Sequence, residues 1–350
     1  MTMGQSLVAS LSIRRRIQAL CLKSPLGVNC PVRHKPPRLR PGAAGYSDGA
    51  TAPWIGYGRI KRNVMNRMIW IDGQLVPRLQ ASVSVFDHGL LYGDGVFEGI
   101  RQYNGRVLRM DDHLRRLYDS ARAIRLDLPM PVADLGQAIE KTIQANGFSD
   151  CYIRVVVTRG VGPLGISPSG CLKPTVIIIA DTINMYPPEM YRSGMAVVTA
   201  ATPRISPAAL SPRIKSLNYL NNIMAKWEAI DAGVPEAVML NHLGFVCECT
   251  ADNIFIVRDG TLLTPPEESG ILIGVTRNIV LELAVDGKIP AKQCNLTRYD
   301  LYTAEECFLT GTGAEIVPVT SIDKRKIGTG NVGPRTTQLM EAFHQYVRRP

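Results

Sequence analysis

The hydrophobic pattern of a folded protein begins only at about residue 65 of this 350-residue chain. Residues 1–64 are interrupted by Pro and Gly so often that no helix or strand is predicted there. They contain a single acidic residue, Asp48, and carry the whole formal net charge of +10, so the rest of the chain is electrically balanced. The folded part is therefore not predicted to have the basic surface of a nucleic-acid-binding protein.

Residues 1–64 allow three interpretations. An Arg triplet at 14–16, in an acid-poor and Ser-containing start, has the composition of a transit peptide. A disordered tail, or translated sequence upstream of a start at Met65 or Met68, fits the same pattern. We expect the segment to be dispensable and the protein to be cytoplasmic.

The eight cysteines indicate neither a disulfide framework nor a zinc site, because they form no CxxC pair and lie near no His cluster. Cys247 and Cys249 flank Glu248, and alternation along a strand would send the carboxylate to the opposite face from both thiols. Buried free thiols and no bound metal are therefore predicted. No apolar run in the sequence reaches the length of a membrane span.

Periodicity from residue 68 onward predicts a mixed α/β (α+β) protein with two domains, at 65–182 and 193–350, joined by a linker at 183–192. A hairpin is predicted at 68–76 around Asp72-Gly73. Alternation at 82–86 predicts a strand before a glycine-rich turn at 87–95. Further strands are predicted at 96–101, 151–158, 174–180, 195–200, 236–240, 253–257 and 307–310. Helices are predicted at about 111–124, 132–145, 219–232 and 334–347, and a loop that becomes a helix at 270–283.

Lys215 is the first candidate for chemistry. It follows a loop that contains Pro203, Pro207 and Pro212 and precedes an amphipathic run, so structure on both sides would fix its amine. A desolvated lysine loses basicity and becomes a nucleophile toward a carbonyl group. A solvated surface lysine is the alternative, and the residue alone does not decide between the two.

Three further features have the chemistry of a site for an anionic ligand. The run at 274–276 (GVT) opens a helix, where free backbone N–H groups favour a phosphate. The run at 311–313 (GTG) is a strand-ending turn with exposed amides and a hydroxyl, and Arg116 has a guanidinium fork that matches a phosphate. Each is more often a plain turn or a solvated helix face. Glu248 is costly to bury unless it pairs with a protonated ring nitrogen of a ligand or with an arginine.

These motifs resemble the class IV aminotransferases, which are fold-type IV pyridoxal-phosphate enzymes, and most closely the branched-chain-amino-acid aminotransferases. The resemblance covers residues from about 68 to 320 and leaves 1–64 outside. The matching runs are 87–101 (DHGLLYGDGVFEGIR), 113–117 (HLRRL), 152–154 (YIR), 158–160 (TRG), 215–219 (KSLNY), 248–255 (ECTADNIF), 274–277 (GVTR) and 311–316 (GTGAEI).

The resemblance implies a role for each matching residue. Lys215 would bind pyridoxal 5'-phosphate covalently and then move the substrate proton, Glu248 would pair with the ring nitrogen, and Tyr219 would bond the ring hydroxyl. The phosphate would be held by Arg116, Val275, Thr276 and Thr312. Tyr152 and the amides of Thr312 and Gly313 would bind the substrate α-carboxylate, and Arg154 the side-chain carboxylate of glutamate. Tyr92, from its own or the partner subunit, and Phe97 would line the side-chain pocket.

The resemblance also implies the reaction, which is transamination of branched-chain L-amino acids (Leu, Ile, Val) with 2-oxoglutarate. It implies a homodimer whose larger C-terminal domain forms a pseudo-barrel of strands. D-amino-acid aminotransferases and aminodeoxychorismate lyases share this fold and remain alternatives, as does an inactive binding protein. The runs at 97–101 and 152–154, with Tyr219, favour the branched-chain assignment. Gly313 stands where many branched-chain enzymes have alanine, which leaves the breadth of the substrate range open.

Overall fold

The structure is a computed structural model that describes residues 67–349, so the predictions for residues 1–64 and for Met65 lie outside the described residues. Within 67–349, helices and strands form the mixed α/β fold that the sequence predicts. Two sheets organise these residues, one on each side of the predicted linker. No helix in this part of the chain is both long and apolar enough to cross a membrane.

The smaller sheet is antiparallel throughout, with the strand order β2-β1-β6-β5-β3-β4. The predicted hairpin between its first two strands is confirmed. Asp72 (φ 48°) and Gly73 (φ 100°) adopt the left-handed conformation that a two-residue hairpin turn requires. The strands are β1 (Met68–Ile71), β2 (Gln74–Pro77), β3 (Gly95–Tyr103), β4 (Arg106–Val107), β5 (Cys151–Thr158) and β6 (Thr175–Asp181).

Three helices belong to the same half of the chain: α1 (His88–Tyr92), α2 (Met110–Ala123) and α3 (Val132–Asn146). Leu114 and Leu117 of α2, with Leu135 and Ile139 of α3, are fully buried against the sheet. Their spacing of three or four residues places them on one face of each helix, which explains why the periodicity predicted both helices.

The predicted strand at 82–86 is wrong. Residues 81–84 have no regular structure, and Val83, Val85 and Phe86 are all exposed. Alternation of apolar and polar residues indicates a strand only when one face is buried, and here neither face packs against this chain. The predicted glycine-rich turn contains the short helix α1. Asp87 is the N-cap of this helix, and its side chain accepts a hydrogen bond from the Gly89 amide at 2.7 Å.

The larger sheet follows the linker and curls into a half-barrel. Its order is β12-β11-β10-β13-β14-β7-β8-β9, with β15 beside β14, and only the β11–β12, β14–β7 and β7–β8 pairs are parallel. Its strands are β7 (Met195–Thr199), β8 (Glu236–Leu240), β9 (Val246–Cys249), β10 (Asn253–Arg258), β11 (Thr261–Thr264), β12 (Ala291–Gln293), β13 (Glu306–Gly311), β14 (Glu315–Ile322) and β15 (Arg325–Lys326). Its helices are α4 (Pro188–Ser193), α5 (Leu220–Asp231), α6 (Val275–Asp286), α7 (Arg298–Tyr302) and α8 (Pro334–Val347).

Both faces of the larger sheet are covered by packed apolar side chains. On one face Phe255 and Phe308 stack at 5.1 Å between ring centroids and contact the buried residues of α6 and α8. Leu309 and Val317 belong to the core on the other face. Because each central strand is buried on both sides, its sequence reads as a continuous apolar run. Packing on both faces holds these strands in place, and residues of the candidate site lie at their ends.

Candidate active site

A cavity of about 450 Å³ lies where the two sheets meet the segment that contains Lys215. The smaller sheet contributes β3 and β5, and the larger sheet contributes β9 and β13. The start of helix α6 also lines the cavity. The cavity gathers almost all of the predicted site residues: Phe97, Arg116, Tyr152, Arg154, Lys215, Tyr219, Glu248, Val275, Thr276, Thr312 and Gly313.

An isolated β-bridge between Ser216 and Val96 holds the backbone around Lys215 beside β3. The Phe97 amide donates to the carbonyl of Lys215 at 2.9 Å, and the Leu217 amide donates to the carbonyl of Gly95 at 2.9 Å. The amide of Lys215 donates to Ser120 Oγ on α2 at 3.1 Å. Three hydrogen bonds therefore fix the point from which the lysine side chain enters the cavity.

The Lys215 amine lies among aromatic groups inside the cavity. Its Nζ donates to the Tyr219 hydroxyl at 3.3 Å and is 4.7 Å from the centroid of the Phe97 ring. Phe97 and Tyr219 themselves meet edge to face at 4.9 Å. The amine is only partly exposed, which excludes the alternative of a fully solvated surface lysine.

Glu248 lies on β9 and is 5% exposed. Its Oε1 accepts from Arg204 Nε at 2.9 Å and Nη2 at 2.8 Å, and its Oε2 accepts from the Leu272 amide at 2.9 Å. Burial raises the pKa of the carboxyl, and the Arg204 guanidinium opposes that rise. The sequence left open whether Glu248 pairs with a ligand or with an arginine. In the structure Glu248 lines the cavity, where a ligand can reach it, and is also paired with Arg204.

Arg116, on α2, faces the cavity with its guanidinium already oriented by a second carboxylate. Its Nε and Nη2 donate to the two oxygens of Glu98 at 2.6 and 2.9 Å, and its Nη1 donates to the Ile273 carbonyl at 2.7 Å. A guanidinium has five N–H donors, so two remain for a ligand. His113 Nδ1 also contacts Glu98, at 2.7 Å. Burial would raise the pKa of Glu98, but Arg116 and His113 hold it well below its usual range.

The N-terminus of α6 is the second anion-binding feature of the cavity. Its N-cap is Gly274, which provides no side chain to satisfy the first amides of the helix, so those N–H groups are available to a ligand. A Cβ at position 274 would collide with the Asn253 side chain, so glycine is required for this close approach. The hydroxyl of Thr276 and that of Thr312 line the same cavity.

Thr310 adds an observation that bears on what the cavity can hold. Its side chain is 1% exposed, lines the cavity, and has an Oγ1 without a hydrogen-bond partner among the described residues. A buried hydroxyl without a partner is costly, so a polar ligand is expected to satisfy it. An amine, a buried carboxylate, a ring-hydroxyl partner and a cradle of amides, hydroxyls and guanidinium together fit pyridoxal 5'-phosphate.

The other wall of the cavity carries groups that can bind a carboxylate. The Arg154 guanidinium lies 4.6 Å from the Phe97 ring centroid and 5.4 Å from that of Tyr152, and it forms no ion pair with any residue in 67–349. Burial raises the pKa of the Tyr152 hydroxyl, which keeps it a proton donor. Gly99 permits this arrangement, because a Cβ there would collide with that hydroxyl.

Tyr92 is the predicted site residue that the structure does not bring to the cavity of its own chain. Its hydroxyl accepts a hydrogen bond from the Gly165 amide at 2.8 Å, its ring packs edge-on against His88, and its side chain is 37% exposed. A contribution of Tyr92 to a substrate pocket would therefore have to come from a second copy of the chain.

Several site residues were not found from the sequence. Arg204 contacts Glu248 across 44 residues of sequence, Glu98 contacts Arg116 across 18, and His113 contacts Glu98. Glu98 and His113 lie inside the matching runs 87–101 and 113–117, but no role was predicted for either, and Arg204 lies outside every run. Asp252 lies directly in the 248–255 motif and lines the cavity. Burial and the nearby Glu236 carboxylate raise the pKa of Asp252 to about 7. Its place in the motif was the one available signal.

A second cleft, of about 680 Å³, lies between α2 and α6. It shares Arg116 and Val275 with the lysine cavity. Its other arginines, Arg109, Arg115 and Arg213, are each paired with a carboxylate, so their charge is already balanced. The cleft has no nucleophile comparable to Lys215, and the lysine cavity is therefore the candidate active site.

Comparison with known proteins agrees with this geometry. The family model for amino-transferase class IV matches residues 95–322, which include every element of the cavity. The chain belongs to the class IV aminotransferases. Among related sequences, a putative branched-chain-amino-acid aminotransferase from Methanocaldococcus jannaschii is 48% identical over 275 residues, covering 79% of this chain and 94% of that protein. The branched-chain-amino-acid aminotransferase of Pseudomonas aeruginosa is 37% identical over 80% of this chain and 92% of its own length.

Solved structures of class IV aminotransferases show the same fold. The branched-chain amino acid aminotransferase of Escherichia coli superposes with a TM-score of 0.78 at 34% identity, covering 80% of this chain and 94% of that one. The branched-chain enzyme of Thermobaculum terrenum, in its holo form with pyridoxal phosphate, has a TM-score of 0.75 at 33% identity, with 81% and 94% covered. The resemblance stated from the sequence motifs is thus confirmed.

Proposed function

We propose that this class IV aminotransferase transfers amino groups between branched-chain L-amino acids and 2-oxoglutarate with pyridoxal 5'-phosphate as cofactor. The observation that carries the proposal is the position of the Lys215 amine, at 3.3 Å from the Tyr219 hydroxyl in a cavity that Glu248 and the N-terminus of α6 also line. The branched-chain enzymes that match this chain over four fifths of its length support the substrate class.

The cofactor would be held at three points by residues of the cavity. Lys215 would bind its aldehyde carbon, the Glu248 carboxylate would accept the ring N–H, and Tyr219 would bond the ring hydroxyl. The phosphate would receive the two free N–H groups of Arg116, the first amides of α6 and the hydroxyls of Thr276 and Thr312. When bound, the protonated cofactor ring supplies a sink for the electron pair left at the substrate Cα.

The protein's own part in the reaction is proton transfer and orientation. Lys215 as a free amine takes the proton from the substrate Cα, for which an amine shielded from bulk water is a suitable base. Its backbone hydrogen bonds to β3 and α2 keep the amine on one side of the cavity. The chain therefore controls from which face the proton is removed, and the sheet rather than a flexible loop supplies that control.

The substrate would lie between the carboxylate-binding wall and an apolar wall. Tyr152 and the amides of Thr312 and Gly313 are proposed for the α-carboxylate. The guanidinium of Arg154, which forms no ion pair within residues 67–349, is proposed for the side-chain carboxylate of glutamate. The apolar part of the lining suits a branched aliphatic side chain. Its members are Phe97, Val156, Ile183, Met185 and Leu217.

A second copy of the chain is part of the proposal. Helix α5 exposes an apolar stripe at helical spacing, formed by Leu220, Ile223, Met224, Trp227 and Ile230, each at least 48% exposed. A contiguous apolar face of this size on a water-soluble chain supports a protein partner. We propose a homodimer in which Tyr92 of one copy reaches the cavity of the other. We also propose that the chain divides into domains at 65–182 and 193–350 and that the protein is cytoplasmic.

The proposal is tested by trapping the cofactor and measuring turnover. Borohydride reduction of the purified full-length protein, followed by peptide mapping, is expected to find the reduced cofactor on Lys215 alone. Lys215→Ala should abolish transamination of leucine with 2-oxoglutarate, whereas the control Lys292→Ala, at an exposed position on β12, should retain it. A trapped adduct elsewhere, or turnover by the Lys215→Ala variant at the parent rate, would contradict the assignment.

A substrate panel separates the activities of this fold. The parent enzyme is expected to use L-leucine, L-isoleucine and L-valine and to be inactive with D-alanine and with aminodeoxychorismate. Activity with D-alanine alone would identify a D-amino-acid aminotransferase, and release of pyruvate from aminodeoxychorismate would identify a lyase. No activity in any arm, with no cofactor bound, would favour the inactive binding protein.

A further inference from the structure

Arg204 is a buried arginine outside the cavity lining, and all three of its side-chain nitrogen atoms are engaged. Nε and Nη2 donate to Oε1 of Glu248 at 2.9 and 2.8 Å. Nη1 donates to the side-chain oxygens of Asn222 at 3.2 Å and Asn221 at 3.4 Å, and the Arg204 amide donates to the Leu240 carbonyl at 2.8 Å. The guanidinium is thus fixed by protein groups and lies outside the cavity lining.

Glu248 in turn has its orientation set from both ends of its carboxylate. While Arg204 holds Oε1, Oε2 accepts from the Leu272 amide at 2.9 Å and the Asn253 amide group at 3.2 Å. Burial disfavours its charge, and Arg204 is the first of the groups that favour it. The other charged or titratable groups whose fields reach this carboxylate are Lys215, Arg116, Arg277, Asp252, Cys247 and Cys249.

We propose that Arg204 is a positioning residue that keeps Glu248 ionised and correctly oriented before the cofactor binds. The inference rests on the proposed function in one respect, because an ionised Glu248 is needed to pair with the protonated cofactor ring. Arg204 itself does not line the cavity, so it would touch neither cofactor nor substrate.

The physical reason is that a carboxylate without a cation is not tolerated at this depth. Removing one member of a buried ion pair leaves an uncompensated charge, and a carboxyl group in that position takes up a proton instead. A protonated Glu248 is neutral and no longer favours a proton on the ring nitrogen. Because Arg204 is adjacent to the carboxylate and outside the cavity lining, it lowers the basicity of Glu248 without occupying the space of the ligand.

The first test measures stability against pH in the full-length protein, with and without added pyridoxal 5'-phosphate. Without Arg204, the pKa of Glu248 in the folded state rises further above its unfolded value, so the folded state must hold a proton and stability is lost as pH rises. The Tm of Arg204→Met is therefore expected to fall more, relative to the parent, at about pH 8 than at about pH 5.5. Adding Glu248→Gln to Arg204→Met should remove the extra loss at the higher pH.

A purely structural role for Arg204 predicts a different pattern. Lost packing would lower the Tm equally at both pH values, and Glu248→Gln would not relieve it. That result would overturn the proposal. Arg258→Met is the matched control, because the Arg258–Asp300 pair is part-exposed and lies away from the cavity. Its Tm change should be small and should not depend on this pH interval.

The second test measures the dissociation constant of pyridoxal 5'-phosphate by absorbance titration of the cofactor-depleted protein. Arg204→Met should weaken binding by about tenfold or more, and Arg204→Lys, which keeps the charge but not the fork, should lie between this variant and the parent. Binding by Arg204→Met at the parent affinity would overturn the proposal. If the parent has no cofactor on Lys215, the proposed function fails, whereas the pH-dependent stability of the pair is still measured independently.

Discussion

Two buried carboxylate–arginine pairs flank the cavity, and they are built in opposite orientations. In the pair of Glu98 and Arg116, the arginine lines the cavity and the carboxylate lies behind it with 0% exposure. In the pair of Arg204 and Glu248, the carboxylate lines the cavity and the arginine lies behind it. The member of each pair that lines the cavity therefore has its charge and direction set by a partner outside the cavity lining.

The two pairs also differ in how burial affects the carboxylate. Glu98 receives three charge-assisted contacts from Arg116 and His113, and its pKa lies below its usual range although burial would raise it. Glu248 forms an ion pair with one cation among the described residues, Arg204, and burial outweighs this pairing, so its pKa is raised. In the proposed function the first pair would offer a cation to a phosphate, and the second would offer a carboxylate whose charge depends more closely on its surroundings.

The largest expected effect is on the stability of the Glu98 pair. Glu98→Gln leaves the Arg116 guanidinium and His113 without their carboxylate in a fully buried position, and the free energy of unfolding should fall by about 3 kcal/mol. Urea denaturation of the full-length protein measures this. The control is Glu189→Gln, which breaks an exposed pair with Arg192 and should cost less than about 0.5 kcal/mol. Equal losses for the two variants would show that the buried network does not stabilise the fold.

The pH dependence of stability sharpens the same contrast, because the two carboxyls act in opposite directions. Glu98 has a lowered pKa, so its contribution is present above the ordinary glutamate value of 4.5 and is lost as pH falls below it. Glu248 has a raised pKa, so stability is lost as pH rises above 4.5. In Tm profiles from acid to neutral pH, Glu98→Gln should flatten the acid limb and Glu248→Gln the neutral limb. A single variant that flattens both limbs would refute the distinction.

The next effect concerns turnover. Glu248→Gln keeps the shape of the side chain but removes the negative charge that would hold a proton on the cofactor ring, so kcat should fall by about a hundredfold. Cofactor affinity should fall less, because the phosphate contacts remain. Steady-state kinetics with leucine and 2-oxoglutarate, together with cofactor titration, separates the two. A Gln variant whose kcat is unchanged would mean that the ring does not need this carboxylate.

The sequence predicted the member of each pair that lines the cavity, Arg116 or Glu248. It did not predict the partner behind it, Glu98 or Arg204. Arg116, Glu248 and Lys215 lie in local motifs. Periodicity placed Arg116 on a predicted helix, whereas the strand at 246–249 that carries Glu248 was not among the predicted strands and Lys215 was placed in a loop. Arg204 and Glu98 contact their partners across 44 and 18 residues of sequence, and only the tertiary fold brings them together. The strand predicted at 82–86 failed for a related reason, since alternation carries no information about whether a face will be covered.

A smaller effect is expected when the geometry of the arginine fork is changed without its charge. Arg116→Lys keeps a cation beside Glu98, but an ammonium cannot contact both carboxylate oxygens and still present two parallel donors to a phosphate. The dissociation constant of pyridoxal 5'-phosphate should rise by about tenfold, measured by titration of the cofactor-depleted protein. Arg115→Lys, at the exposed neighbouring position, is the control and should bind as the parent does. If both variants bind equally well, charge alone accounts for the phosphate site.

The smallest expected effect concerns Gly313, on the wall of the cavity that neither ion pair contacts. A Cβ at Gly313 would lie 3.0 Å from Met185 Cγ and 3.2 Å from its Sδ, so an alanine must displace this side chain. Both residues line the cavity, and the displaced thioether would take space from the substrate side chain. Gly313→Ala should therefore lower kcat/KM for leucine by about threefold more than for the shorter valine. Removing the obstructing side chain in Gly313→Ala/Met185→Ala should restore the parent ratio. A loss that is equal for leucine and valine would mean that the glycine serves the carboxylate-binding turn instead, and that the size limit is set by Phe97 and the sheet behind it.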